Sequence, residues 1–94
     1  MIEWIQGQEH LGEVQEKNKE FFIVLFYANF SSASKRALAE LEQFSKEDEQ
    51  VPVYVIDVER IKGVHKQLGV ESVPTVLALR KGKASQRLEG VESA

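Results

Sequence analysis

Seven consecutive apolar residues, Phe21-Phe22-Ile23-Val24-Leu25-Phe26-Tyr27, place the strongest constraint on what this chain can fold into. Aromatic and β-branched side chains dominate the run, and no polar residue interrupts it at strand or helix spacing. A strand of that kind has no face to give to solvent, so it belongs in the middle of a sheet covered on both sides. Extended by Ala28, the run is still far short of the roughly 20 apolar residues that a membrane helix needs.

The flanking segments supply the cover. Residues 8–19 are polar, with Leu11 and Val14 three apart, which predicts a short amphipathic helix. Residues 35–46 carry Ala37, Leu38, Leu41 and Phe44 at helical spacing, and Glu47-Asp48-Glu49-Gln50 ends that helix in solvent. Residues 51–58 are a second β-branched run, with Pro52 near its start, where a missing donor is tolerated. Ile61, Val64 and Leu68 mark a short third helix stopped by Gly69. Val73-Pro74 opens a strand over residues 75–79, and Lys81-Gly82 turns it into a polar strand over residues 84–88.

The order helix, strand, helix, strand, helix, strand, strand predicts an α/β fold. Two right-handed crossovers make the first strands parallel, and the hairpin adds an antiparallel, exposed edge. Within residues 75–79, Val76 and Ala78 face one side and Leu77 and Leu79 the other, so both faces call for cover. With no repeat, linker or low-complexity stretch, residues 1–94 read as a single domain.

Composition removes whole classes of chemistry. The chain has no cysteine, which excludes disulfides, thiolate nucleophiles, Cys-ligated zinc and iron–sulfur clusters together. Its two histidines, His10 and His65, are too few for a His-rich metal site, and no cofactor or metal is expected. A net charge of −3 argues against a nucleic-acid binder with a broad basic face. A hydrophobic fraction of 43% suits a globular core. Residues 1–10 have neither a cationic start nor an apolar stretch of signal-peptide type, so a cytoplasmic location is the expectation.

Four markers, in order, carry a family resemblance. Phe26-Tyr27-Ala28-Asn29-Phe30-Ser31-Ser32-Ala33-Ser34-Lys35 resembles the aromatic strand end, Cys-x-x-Cys and lysine of the thioredoxin family, with serine at both cysteine positions. Asp57-Val58-Glu59 is similar to the acidic pair ending the family's next strand. Leu68-Gly69-Val70-Glu71-Ser72-Val73-Pro74-Thr75 is similar to the segment holding its cis-proline, and Gly90 falls where the family keeps a glycine beside the active site. The likeness spans about residues 11–90 and implies a thioredoxin-like fold, a central mixed sheet flanked by helices. The family closes with one more helix, whereas only Val91-Glu92-Ser93-Ala94 follow Gly90. The resemblance thus implies a fold lacking that last helix, with an apolar face left to self-association or to a C-terminal segment folding back.

The family's reaction needs a thiolate at a helix N-terminus and a second cysteine to resolve the mixed disulfide. Ser31 and Ser34 supply neither, so the catalytic set is empty. Serine is, however, a favoured N-cap whose oxygen satisfies a free N–H of the helix that starts there. A nucleophilic Ser31 would need a base and an oxyanion site, and no Gly-x-Ser-x-Gly elbow is present. A buried aspartate and its lysine, frequent in the family, correspond to Leu25 and Val55, which read as plain core.

What the resemblance leaves intact is a peptide groove formed by Phe30, Ser31, Val73, Pro74 and Gly90. There, backbone pairing next to a cis Val73–Pro74 bond would hold an extended peptide; a cis-proline equally serves to fix a turn. Arg80, Lys81, Lys83 and Arg87 either attract an acidic partner or keep an edge strand from pairing with another chain. The function these readings imply is a redox-inactive binding or scaffolding module for a protein or peptide partner, without nucleic acid or membrane. The alternative is a thioredoxin-class thiol–disulfide oxidoreductase, serving cell redox homeostasis, seen as a cysteine-to-serine variant.

Overall fold

The computed structural model describes residues 2–63, 69–70, 72–81 and 83–89, the last six of these through the backbone alone. In chain order the elements are β1 (Ile2–Trp4), α1 (Gln8–Lys17), β2 (Phe21–Tyr27), α2 (Ser32–Glu47), β3 (Val53–Asp57), β4 (Thr75–Arg80) and β5 (Lys83–Glu89). The sheet runs β1-β3-β2-β4-β5, so the apolar run of β2 takes the central position that its composition demands. β1 and β2 flank β3 in parallel, while β4 and β5 are antiparallel to their neighbours.

The sequence reading opens on a helix, whereas the structure places a strand before it. Ile2, Glu3 and Trp4 pair with Val53, Tyr54 and Val55. Three residues are too few to show a rhythm in sequence, and a distant strand holds them in place. The proposed third helix rests on Val64 and Leu68, which lie outside the described residues, as do His65, Gly90 and residues 91–94.

Two apolar layers sandwich the sheet. On one side Phe22, Val24, Phe26, Leu77 and Leu79 pack with Tyr54 and Ile56 beneath Leu11 and Val14 of α1. On the other, Leu25, Tyr27 and Val55 meet Ala37 of α2, with Leu38 and Leu41 closing around them. Each large side chain removed from water here contributes about 1.5–3 kcal/mol. The Phe22 and Tyr54 rings meet edge to face, with centroids 5.7 Å apart. Leu77 and Leu79 are buried while Val76 and Ala78 are half-buried, the alternation read from sequence.

Local contacts fix the joints. Asn18 ends α1 twice over, its backbone N–H and side-chain amide both donating to Val14 O, and that amide also donates to Tyr54 Oη at 2.8 Å. At the same end of the sheet, beside the start of β2, Lys81 adopts a left-handed φ of 55° after β4. Its N–H donates to Glu20 O at 3.2 Å, a contact that helps hold a conformation most side chains avoid.

Candidate functional site

The parallel strands end together, and there the chain leaves β2 toward α2 on one face while β3 turns toward the other. A crevice at such a divergence is where open α/β sheets bind ligands. Register brings a third segment to it: Phe26, next to last in β2, pairs with Thr75, so Val73 and Pro74 arrive at the same end of the sheet. The Val73–Pro74 bond is cis, Pro74 is buried, and Val73 is half-buried against the α1-side core.

Ser31 is the N-cap of α2. Its backbone is extended (φ −100°, ψ 116°) and its Oγ accepts the Ser34 N–H at 3.0 Å, satisfying one donor that the helix leaves open. Ser34 is fully buried, and its Oγ accepts the Ala28 N–H at 3.3 Å. The two serines at the redox positions therefore serve the backbone, and the partners of both oxygens are amides rather than a base. Beneath them Leu25 and Val55 pair directly across β2 and β3, both without solvent contact. A charge placed there would lie in apolar surroundings, and the apolar pair carries no such desolvation cost.

Around these serines the loop is tied down while its aromatic tip is bare. The Asn29 N–H donates to Glu59 Oε1 at 3.2 Å, across the crevice from the turn after β3. Asp57 Oδ1 accepts the Glu59 N–H at 2.9 Å and shapes that turn. Tyr27 is buried, its hydroxyl donating to Asn29 Oδ1 at 3.1 Å and its ring meeting Trp4 edge to face at 5.4 Å. Phe30, by contrast, is 75% exposed. A large apolar side chain on so constrained a loop belongs to the surface and adds nothing to the core.

Of the residues singled out from sequence, the structure brings Phe30, Ser31, Ser34, Val73 and Pro74 to one end of the sheet. Arg80, Lys81 and Lys83 sit at the opposite end, since Arg80 pairs with Phe21 and stacks over its ring at 5.0 Å. The Arg87 side chain lies outside the description. Sequence reasoning missed Asn29 and the role of Glu59. Asn29 shares no periodic pattern with its neighbours, and only the fold brings the acidic turn to it. Among the described residues, no cluster of three or more His, Asp or Glu is arranged to hold a metal ion, and no helix is long and apolar enough to cross a membrane.

A five-stranded sheet with a helix-capping Ser-x-x-Ser at the end of its central strand and a cis-proline at the same end has the layout of a thioredoxin. Residues 2–94 match the thioredoxin family, and the chain belongs to it. It is 29% identical to Thioredoxin-1 of Saccharomyces cerevisiae over 72 residues, 77% of this chain and 70% of that protein. Identity to Thioredoxin-2 of the same yeast is 21% over 94 residues, 100% of this chain and 90% of the other. The fold superposes on the thioredoxin of Fasciola hepatica with a TM-score of 0.85 at 19% identity, covering 93% of this chain and 85% of that one.

Proposed function

We propose that this chain is a redox-inactive thioredoxin-like protein of the cytoplasm that binds a protein or peptide partner in the groove beside Phe30, Val73 and Pro74. One observation carries the reading. Both hydroxyls at the redox positions are taken up in capping backbone amides, while Phe30 beside them stands 75% exposed. A serine hydroxyl neither attacks a disulfide nor forms one, so the chemistry goes and the surface stays. Leu25 and Val55 support the same reading, since the core under the motif is dry and uncharged. Binding here is β-strand addition, with backbone hydrogen bonds giving affinity and the Phe30 ring giving selectivity.

The test is an NMR titration with a panel of extended, cysteine-free peptides. Peptides that bind shift the amides of Phe30, Ser31 and Val73, and Phe30→Ala weakens them at least fivefold. A panel that leaves those amides unmoved removes the proposal.

The names of the yeast relatives favour a second reading, a thioredoxin-class oxidoreductase carried as a cysteine-free variant. It requires that Ser31→Cys with Ser34→Cys restore full disulfide reduction over a core holding Leu25.

A further inference from the structure

We propose that the open edge of β1, centred on Trp4, docks an extended segment of a partner protein that carries a basic residue between two apolar ones. This surface is separate from the groove at Phe30.

Among the described residues β1 ends the sheet and has a strand neighbour on one side only. The Ile5 N–H donates to Val55 O at 2.8 Å, toward β3. By strand alternation, Ile2 and Trp4 turn their backbone groups the other way, outward. Gln6 Nε2 donates to Trp4 O at 3.2 Å and covers the last outward acceptor. The Ile2 N–H and C=O and the Trp4 N–H remain as a short ladder for an added strand.

Side chains on both faces of that edge are shaped for company. Trp4 is 38% exposed and, with Phe30, is one of the two large hydrophobics left exposed among the described residues. It lines two open cavities, one of about 310 Å³ with Asp57 and Arg60 and one of about 330 Å³ with Ile2, Glu42 and Lys46. A half-exposed tryptophan between two hollows, its other edge held against Tyr27, has the character of an interface anchor. Apolar side chains of an added strand at the Ile2 and Trp4 positions would enter these hollows.

The intervening residue, Glu3, points to the opposite face. There it lines a notch of about 140 Å³ with Glu13, His10 and Lys17. Glu3 Oε2 takes a hydrogen bond from His10 Nε2 at 2.8 Å, and Glu13 adds a second carboxylate to the notch. A lysine or arginine opposite Glu3 therefore meets two carboxylates, Glu3 and Glu13, which outnumber the one ammonium at the notch, that of Lys17. A second copy of this chain fits poorly, because two-fold antiparallel pairing of β1 sets Glu3 against its own counterpart, and like charges directly opposite destabilise a ladder.

Trp4 is the single tryptophan, so its fluorescence reads the edge directly. The probes are the capped peptides Thr-Val-Arg-Val-Thr and Thr-Val-Glu-Val-Thr, titrated against the whole chain. The arginine peptide should shift Trp4 emission and the glutamate peptide should not. Glu3→Lys should reverse that preference. Glu13→Gln, which leaves the His10 contact intact, should weaken the arginine peptide by about two- to fivefold. Phe30→Ala should leave binding unchanged, which separates this edge from the groove. Equal response to both peptides, or emission that never moves, overturns the proposal. So does a concentration-dependent dimer that Trp4→Ala abolishes, which would assign the edge to a second copy.

Discussion

The Asn29 N–H donates to the Glu59 carboxylate across the crevice between β2 and β3, at 3.2 Å, and so fastens the loop that presents Phe30. Glu59 is held in turn by the Asp57 carboxylate, which accepts its N–H. An acidic turn thus positions an aromatic side chain that it need not touch.

Removing that carboxylate should release the loop. Glu59→Ala is expected to cost about 0.5–1 kcal/mol, the net worth of one partly exposed hydrogen bond. It should also raise hydrogen exchange at the Asn29 amide, while Glu59→Gln, which keeps an acceptor, should do much less of both. An Asn29 amide equally protected in the wild type and in Glu59→Ala would show that the bond does not hold the loop.

The two motif serines should differ in stability experiments. Ser31→Ala removes an N-cap, worth about 1 kcal/mol. Ser34→Ala leaves the Ala28 amide without its acceptor in a site closed to water, at a cost of about 1–3 kcal/mol. Urea unfolding of both variants checks the order, and a larger loss at Ser31 would contradict it.

In an insulin precipitation assay the chain should show no disulfide reduction above buffer. With Ser31→Cys and Ser34→Cys together, activity should return only weakly, because Leu25 has no group to pass a proton to the buried sulfur. Turnover equal to that of an ordinary thioredoxin would show that the dry core is no handicap.

His10 bridges β1 to α1. Gln6 donates its N–H to Nδ1 at 2.8 Å, which leaves Nε2 to donate to Glu3. His10→Ala should therefore lower stability by about 1 kcal/mol and loosen the β1 amides in hydrogen exchange. Unchanged protection at Ile5 would sink the idea that this ring anchors the strand.

Much of the fold was legible because it rests on long, local patterns. The run at Phe21–Tyr27 suggested a central strand and is one, and Ala37, Leu38 and Leu41 marked the buried stripe of α2. The resemblance singled out the serine motif and Val73-Pro74, which the fold brings to one end of the sheet. What stayed hidden was made by contacts between distant residues: β1 exists through pairing with Val53, Tyr54 and Val55. Ser34 was readable as a helix-start serine, but its bond to the amide of Ala28, six residues back, depends on how tightly the chain turns between them. Trp4 stands in no periodic pattern, and only the pairing of its strand with β3 puts it, 38% exposed, on the rim of the sheet.

The pairing of the first strand with β3 rather than with β2 has a consequence for how the chain assembles. Residues 2–4 leave the ribosome before their partner strand, which is made only after α1, β2 and α2. Until then the N-terminal segment has no place in the sheet, and its tryptophan is free for a chaperone or another nascent chain to grasp. The strand made before the other four of the sheet is thus among the last to find its place.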